Sequence, residues 1–338
     1  MGVRIVAVSL VVVLACMFGA QDARAQQATT EQENAEQMLT YSRGQAVLPA
    51  YHGWTPKPDG TIDLWFGYLN QNFSEELDIP AGPDNFVSGR YGPDGGQPTH
   101  FLPRNNRWIF KVTVPNKDFP EKEVVWTLTS KGKTYKAYAT LHPGYIKDDS
   151  GLQREYFGEP PPEGNKPPEL RVDAPLTRTT RVGDASTLRA IATDDGIPRP
   201  AVGIPGGGAN LRFRRPSVCG ANTQPFYCGE PNEGAGALFS VRGLRMGCFL
   251  YRGSSEVRTR GDKGQAAFVT FDPPQEKVWE DHRRGSPWAS GYVLPPIPKD
   301  NTWVINTTFK EPGTYVVRCQ AHDGLLVKNE DITFTVTR

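Results

Sequence analysis

An excess of charge of one sign is missing from this sequence: 38 Lys and Arg stand against 37 Asp and Glu, a formal balance of +1. Proteins steered to polyanions carry a basic excess, so the balance argues against nucleic acid as a partner. No Gly-x-Ser-x-Gly elbow and no His-Glu-x-x-His pair is present, so those serine-hydrolase and zinc-peptidase signatures are absent. The Gly206-Gly207-Gly208 run sits among prolines with no helix pattern behind it, which removes a phosphate-cradling loop. Methionine is scarce at four residues, and none follows His322. After the N-terminal leader, no apolar run approaches the ~20 residues that span a bilayer, and none is expected in the mature chain.

What is present begins with that leader. Arg4 precedes an apolar run from Ile5 to Ala20 broken only by Ser9, and Ala23-Arg24-Ala25 supplies a small-x-small cleavage pattern. The sequence predicts a signal peptide over 1–25 and an exported protein, periplasmic or extracellular; lipidation at Cys16, behind Val13-Leu14-Ala15, is the alternative. Beyond the leader remain Cys219, Cys228, Cys248 and Cys319, an even set for which disulfides are the default in an oxidising compartment. Cys219 and Cys228 bracket a short loop, while Cys248 and Cys319 each lie in a strand-like run. The expected pairs are therefore Cys219 with Cys228 and Cys248 with Cys319.

The chain is punctuated by 35 Gly and 30 Pro, and its apolar residues recur with period two. Residues 26–50 are polar and read as a flexible lead-in. From Tyr51 to 147, runs such as Ile62–Tyr68, Trp108–Val114, Val124–Thr129 and Thr134–Leu141 alternate and are bounded by turn residues, which predicts an antiparallel β-sandwich. A charged and then proline-rich passage over 148–164 reads as a linker. Residues 165–338 hold further short alternating runs, and the whole predicts an all-β protein of two consecutive sandwiches. Whether the two units touch is left open.

Three stretches of the second unit, "NKPPELRV", "STLRAIATDDG" and "TFKEPGTYVVRCQAHDG", together resemble a bacterial immunoglobulin-like module of the polycystic-kidney-disease-repeat or cadherin-like kind. The resemblance covers about the last half of the chain and marks a fold. It departs from a compact module by two long insertions, Ile197 to Glu233 and Pro273 to Pro298.

Four constellations carry possible chemistry. Cys319 and His322, after Gly313-Thr314-Tyr315, match part of a cupredoxin copper site, but no methionine follows as axial ligand and a disulfide is the preferred reading. The loop "KVWEDHRRGSPW" offers Trp279, Glu280, Asp281, His282, Arg283 and Trp288 as a ligand-binding face: indoles stack on sugar rings and charged groups bond hydroxyls. The alternative is that the indoles only pin the loop to the sandwich. Asp194, Asp195 and Asp323 lie in Asp-Gly turns and are candidate calcium ligands, although such turns also serve backbone geometry alone. Asp94, His100, Arg104 and Asn105 gather in a turn-rich connection. The function expected is non-catalytic recognition, with a carbohydrate or a cell-envelope protein as partner; an exported enzyme or a copper electron-transfer protein is the alternative. No cofactor is expected beyond the calcium just considered.

Overall fold

The computed structural model describes residues 43–72, 75–119, 124–147, 163–198, 243–253, 258–260, 268–275 and 297–338. Among them the only helical pieces are short 3-10 turns such as Pro143–Tyr145; the rest of the regular structure is β. In chain order the first unit contributes β1 (Val47–Pro56), β2 (Thr61–Asn70), β3 (Glu76–Asp78), β4 (Asn85–Val87), β5 (His100–Phe101), β6 (Arg104–Pro115), β7 (Val125–Ser130) and β8 (Lys133–Tyr138). Two sheets, ordered β1-β2-β6 and β4-β7-β8, enclose its core. Ile62, Leu64 and Phe66 of β2 meet Phe110, Val112 and Val114 of β6 and Trp126 of β7 there. Trp126 is fully buried, and its indole N–H finds a partner at 2.9 Å in Asn85 Oδ1. The Asn85 amide in turn donates to the Ile79 and Pro98 carbonyls, so one buried asparagine satisfies the backbone of two loops.

Residues 47–50, expected in the flexible lead-in, are instead the start of β1. Val47 pairs with Asn70 and is completely buried, and this contact orders a segment whose own composition is not strand-like. The hairpin between β7 and β8 turns on Lys131 and Gly132, with φ of 50° and 75°, the pair of positive values a two-residue hairpin turn demands.

The second unit contributes β9 (Glu169–Val172), β10 (Thr177–Arg181), β11 (Ala185–Thr193), β12 (Arg245–Arg252), β13 (Arg258–Arg260), β14 (Val269–Asp272), β15 (Thr302–Phe309), β16 (Gly313–His322) and β17 (Val327–Thr337). Its sheets run β14-β15-β11-β9 and β10-β17-β16-β12. That arrangement reproduces the immunoglobulin order, with the first strand divided between the two sheets. Leu188, Ala190, Ile305, Phe309, Val317 and Phe334 fill the space between them. Tyr315, near the start of β16, sends its hydroxyl back to the Glu311 carbonyl at 3.1 Å, as the tyrosine corner of such sandwiches does. Cys248 and Cys319 are bonded, as expected. They face each other directly on neighbouring strands, so the bond staples β12 to β16 within one sheet rather than bridging the two sheets.

The two units share their interior. Phe249 and Tyr251 of β12 pack in the first core, and β13 pairs with β3 to continue a β13-β3-β5 sheet. The Tyr251 hydroxyl donates to the Gly96 carbonyl. Arg318 of β16 lies over the Tyr251 ring at 3.5 Å, donates to the Ile109 carbonyl at 2.6 Å and clasps Asp331 at 2.7 and 2.8 Å. The described residues from 43 to 338 accordingly belong to one compact unit. No helix among the described residues is long and apolar enough to cross a membrane.

Candidate functional site

β11 points Leu188, Ala190 and Ala192 inward and stops at Thr193, because the next residues satisfy their backbone locally. Asp194 Oδ2 accepts from Gly196 N at 3.0 Å and Asp195 Oδ1 from Ile197 N at 2.8 Å, with Gly196 at φ 80°. These are side-chain turns that compete successfully with the ladder. β16 ends the same way. Asp323 Oδ1 accepts from both Leu325 N (2.5 Å) and Leu326 N (2.6 Å), turning the chain into β17. Asn165, at the entry of the unit, comes alongside Asp323, and Lys166 N donates to Asp195 Oδ2 at 3.1 Å. Three segments distant in sequence therefore meet at one end of the sandwich.

That end is acidic, with Asp323 buried, Asp194 half-buried and Asp195 exposed. Asp323 is fully buried, and burial pushes its carboxyl up to about 6 against the opposing pull of the Leu326 and Leu325 amides and of Asn165, with the Asp194 charge adding to the rise. Asp194 is also raised, first by burial and then by its neighbour Asp195, while the Gly196 amide lowers it. Among the described residues, one oxygen of each, Asp194 Oδ1 and Asp323 Oδ2, is buried without a hydrogen-bond partner. Among the described residues no three His, Cys, Asp or Glu side chains form a metal-holding group. The donor set at this end is two carboxylates and the Asn165 amide, since both oxygens of Asp195 are occupied by backbone N–H groups.

The same end roots both long insertions. The β11–β12 connection leaves through Asp194–Gly196 and returns at Gly243, whose N–H donates to the Asp323 carbonyl at 2.6 Å. β15 starts beside the end of β11, with Thr302 opposite Ile191 and Asn301 O accepting from Ala192 N at 3.2 Å, so the β14–β15 connection arrives there too. Cys219 and Cys228 of the first insertion, and Trp279, Glu280, Asp281, His282, Arg283 and Trp288 of the second, lie outside the described residues. The copper reading loses its thiolate, because Cys319 is bonded to Cys248; His322 beside it is buried, its Nδ1 accepting from Gly324 N at 2.8 Å. Asn165 was legible only as part of the Asn-x-Pro-Pro entry that marks the fold, and its place beside Asp323 follows from strand order.

No family model matches the chain. No curated protein matches it either. Solved structures with some likeness include a chimeric titin Z1Z2 carrying a decorin peptide (8% identity, 87% of this chain and 100% of that one, TM-score 0.22). The adhesin InvE of Yersinia pseudotuberculosis matches at 8% identity over 85% of this chain and 58% of its own, TM-score 0.23. The D00-D0 domain of intimin matches at 7% over 86% and 99%, TM-score 0.21. At such scores these likenesses carry no argument about partners, and the immunoglobulin-like assignment stands on the strand order.

Proposed function

We propose that the chain is an exported, non-catalytic interaction protein that binds a carbohydrate or a cell-envelope protein at the end of its second sandwich. The observation that carries this reading is the common rooting of both long insertions beside Asp323. Loops held at one end of a rigid sandwich are where such folds place recognition, and the second insertion brings Trp279 and Trp288 with Glu280, Asp281, His282 and Arg283. Export is supported by the leader ending at Ala25 and by the Cys248–Cys319 bond, which persists in an oxidising compartment. Calcium, a hard ion served by oxygen, is the cofactor this end suits: Asp194 and Asp323 each offer a buried oxygen without a partner among the described residues, with Asn165 alongside. Asp194 and Asp323 would hold such an ion with Asn165, and its charge would neutralise the acidic pair.

Two measurements test the reading. Thermal unfolding with calcium against EGTA is expected to show stabilisation of about 2–3 kcal/mol near a hundredfold excess over Kd, absent in Asp323→Asn. A glycan array and an envelope-extract pull-down are expected to show binding that Trp279→Ala with Trp288→Ala removes while the melting profile is kept. Absence of any partner, or one held equally by the double variant, refutes the binding end.

A further inference from the structure

The sheet β4-β7-β8 ends on β8, and one side of that strand has no neighbour in the ladder. Ala139 N donates to the Val124 carbonyl at 2.9 Å, one step beyond the Tyr138–Val125 pair, so the odd-numbered residues of β8 turn their backbone groups toward β7. Thr134, Lys136 and Tyr138 therefore turn N–H and C=O outward, and among the described residues nothing takes up those groups. The next outward carbonyl, at Thr140, already accepts from the Tyr51 hydroxyl at 2.9 Å, which bounds the open stretch at Tyr138. The Lys131–Gly132 turn bounds it at the other end. β1 passes close to β8, with Val47 N on Ser130 Oγ and Tyr51 on Thr140, but its own ladder is with β2.

Backbone groups repeating along an edge are matched by another extended backbone. The stretch Thr134–Tyr138, at ~3.3 Å per residue, seats about five residues of such a chain.

The side chains decide which kind of chain fits. Thr134, Lys136 and Tyr138 share the outer face, opposite Thr129, Thr127 and Val125 of β7. Tyr138 is 52% exposed, more than any other large apolar side chain among the described residues. Lys136 beside it is exposed, and so is Lys133 at the turn. The carboxylate that reaches this hairpin, Glu75, is held by Lys131 Nζ and by Gly44 N, each at 2.6 Å. Asp84 meets Thr129 N on the far side of β7, away from the edge. The edge is thus basic, with one large apolar side chain.

We propose that the β8 edge binds an acidic, extended segment of a partner protein by strand addition, with a carboxylate opposite Lys136 and a large apolar residue opposite Tyr138, two positions away on the same face. A second copy of this chain suits the edge poorly. Pairing two β8 edges about the middle of the stretch sets Lys136 against its own copy, and like charges directly opposite destabilise a ladder. The charge that keeps copies apart therefore also selects the partner. The edge belongs to the first unit, so binding there does not depend on the recognition end.

The test titrates the full mature chain with a fluorescent peptide repeating Glu-Thr-Val-Thr. Its controls are the same peptide with Lys in place of Glu and a fully N-methylated version, which cannot donate to a ladder. Binding that weakens with salt, falls about fivefold in Lys136→Glu and is lost on N-methylation is expected. Amide exchange followed by NMR is expected to slow at Thr134, Lys136 and Tyr138 when the peptide is bound. Thr134→Pro removes an outward N–H that the fold does not use and leaves every charge in place, so it is expected to weaken binding comparably without changing the melting profile. No binding, equal binding of the Lys or the N-methylated peptide, unchanged affinity in Lys136→Glu or in Thr134→Pro, or unaltered exchange at the three amides would overturn the proposal. Self-association that slows the same amides without peptide would give the edge to a second copy and overturn it as well.

Discussion

His100 is sealed between two carboxylates, its Nδ1 at 2.8 Å from Asp78 Oδ1 and its Nε2 at 3.2 Å from Glu76 Oε2. Burial by itself disfavours the imidazolium; the charge and hydrogen bond of Asp78, followed by those of Glu76, outweigh it and raise the pKa above the ordinary histidine value. A pKa raised on folding contributes stability that is complete below the unfolded value of about 6.5 and is lost as pH climbs through the folded one. His100→Gln is therefore expected to be less stable than the native chain by about 2–3 kcal/mol at pH below the ordinary histidine range, with the gap narrowing as pH rises above it. Urea unfolding at a series of pH values checks this, and a gap independent of pH would mean that His100 is neutral in the fold. The neighbours with which His100 was grouped in the sequence have equally structural duties: Asp94 pairs with Arg252 at 2.7 Å and Arg104 donates to the Gln71 carbonyl.

At the scale of elements, the Cys248–Cys319 bond closes a separation of 71 residues between β12 and β16. On the chain-entropy account a loop of that length is worth about 4 kcal/mol, and the bond also ties the strand that bears Tyr251 to the strand that bears Arg318. Cys248→Ala with Cys319→Ala is predicted to lose most of that amount in guanidinium unfolding; a loss below about 1 kcal/mol would show that the ladder alone holds the two strands. This pair was readable in the sequence because both cysteines sit in strand-like runs, and so were β2, β6, β7, β11, β15 and β16. Segments of two to five residues such as β3, β4, β5 and β10 have too few residues to display a period, and their pairing comes from buried side chains such as Asn85. The acidic end was half legible: Asp194, Asp195 and Asp323 stood in recognisable turns. Their meeting with Asn165, and the turning of Asp195 to backbone donors, depends on which strand ends the topology brings together.

For the whole molecule, the proline-rich passage between the units invites a picture of two beads on a flexible string, and the shared interior argues against it. Tyr251 is 3% exposed within the first core although β12 belongs to the second sandwich, and Arg318 packs its guanidinium on that ring while bonding Ile109 of the first unit. Separating the units would expose the Tyr251 ring and strand a buried arginine, each a cost of a few kcal/mol. The described unit should then melt as one body, with calorimetric and van't Hoff enthalpies equal. Tyr251→Ala removes the shared ring and leaves Arg318 only its Asp331 partner and the Ile109 carbonyl. We expect it to cost about 3–5 kcal/mol and to split the transition in two, the lower step reporting release of β13 from β3 and exposure of the joint. Two resolved transitions already present in the native chain would mean that the cores touch without cooperating. A single transition retained in Tyr251→Ala would place the coupling instead in the β13–β3 ladder and the Asp94–Arg252 pair.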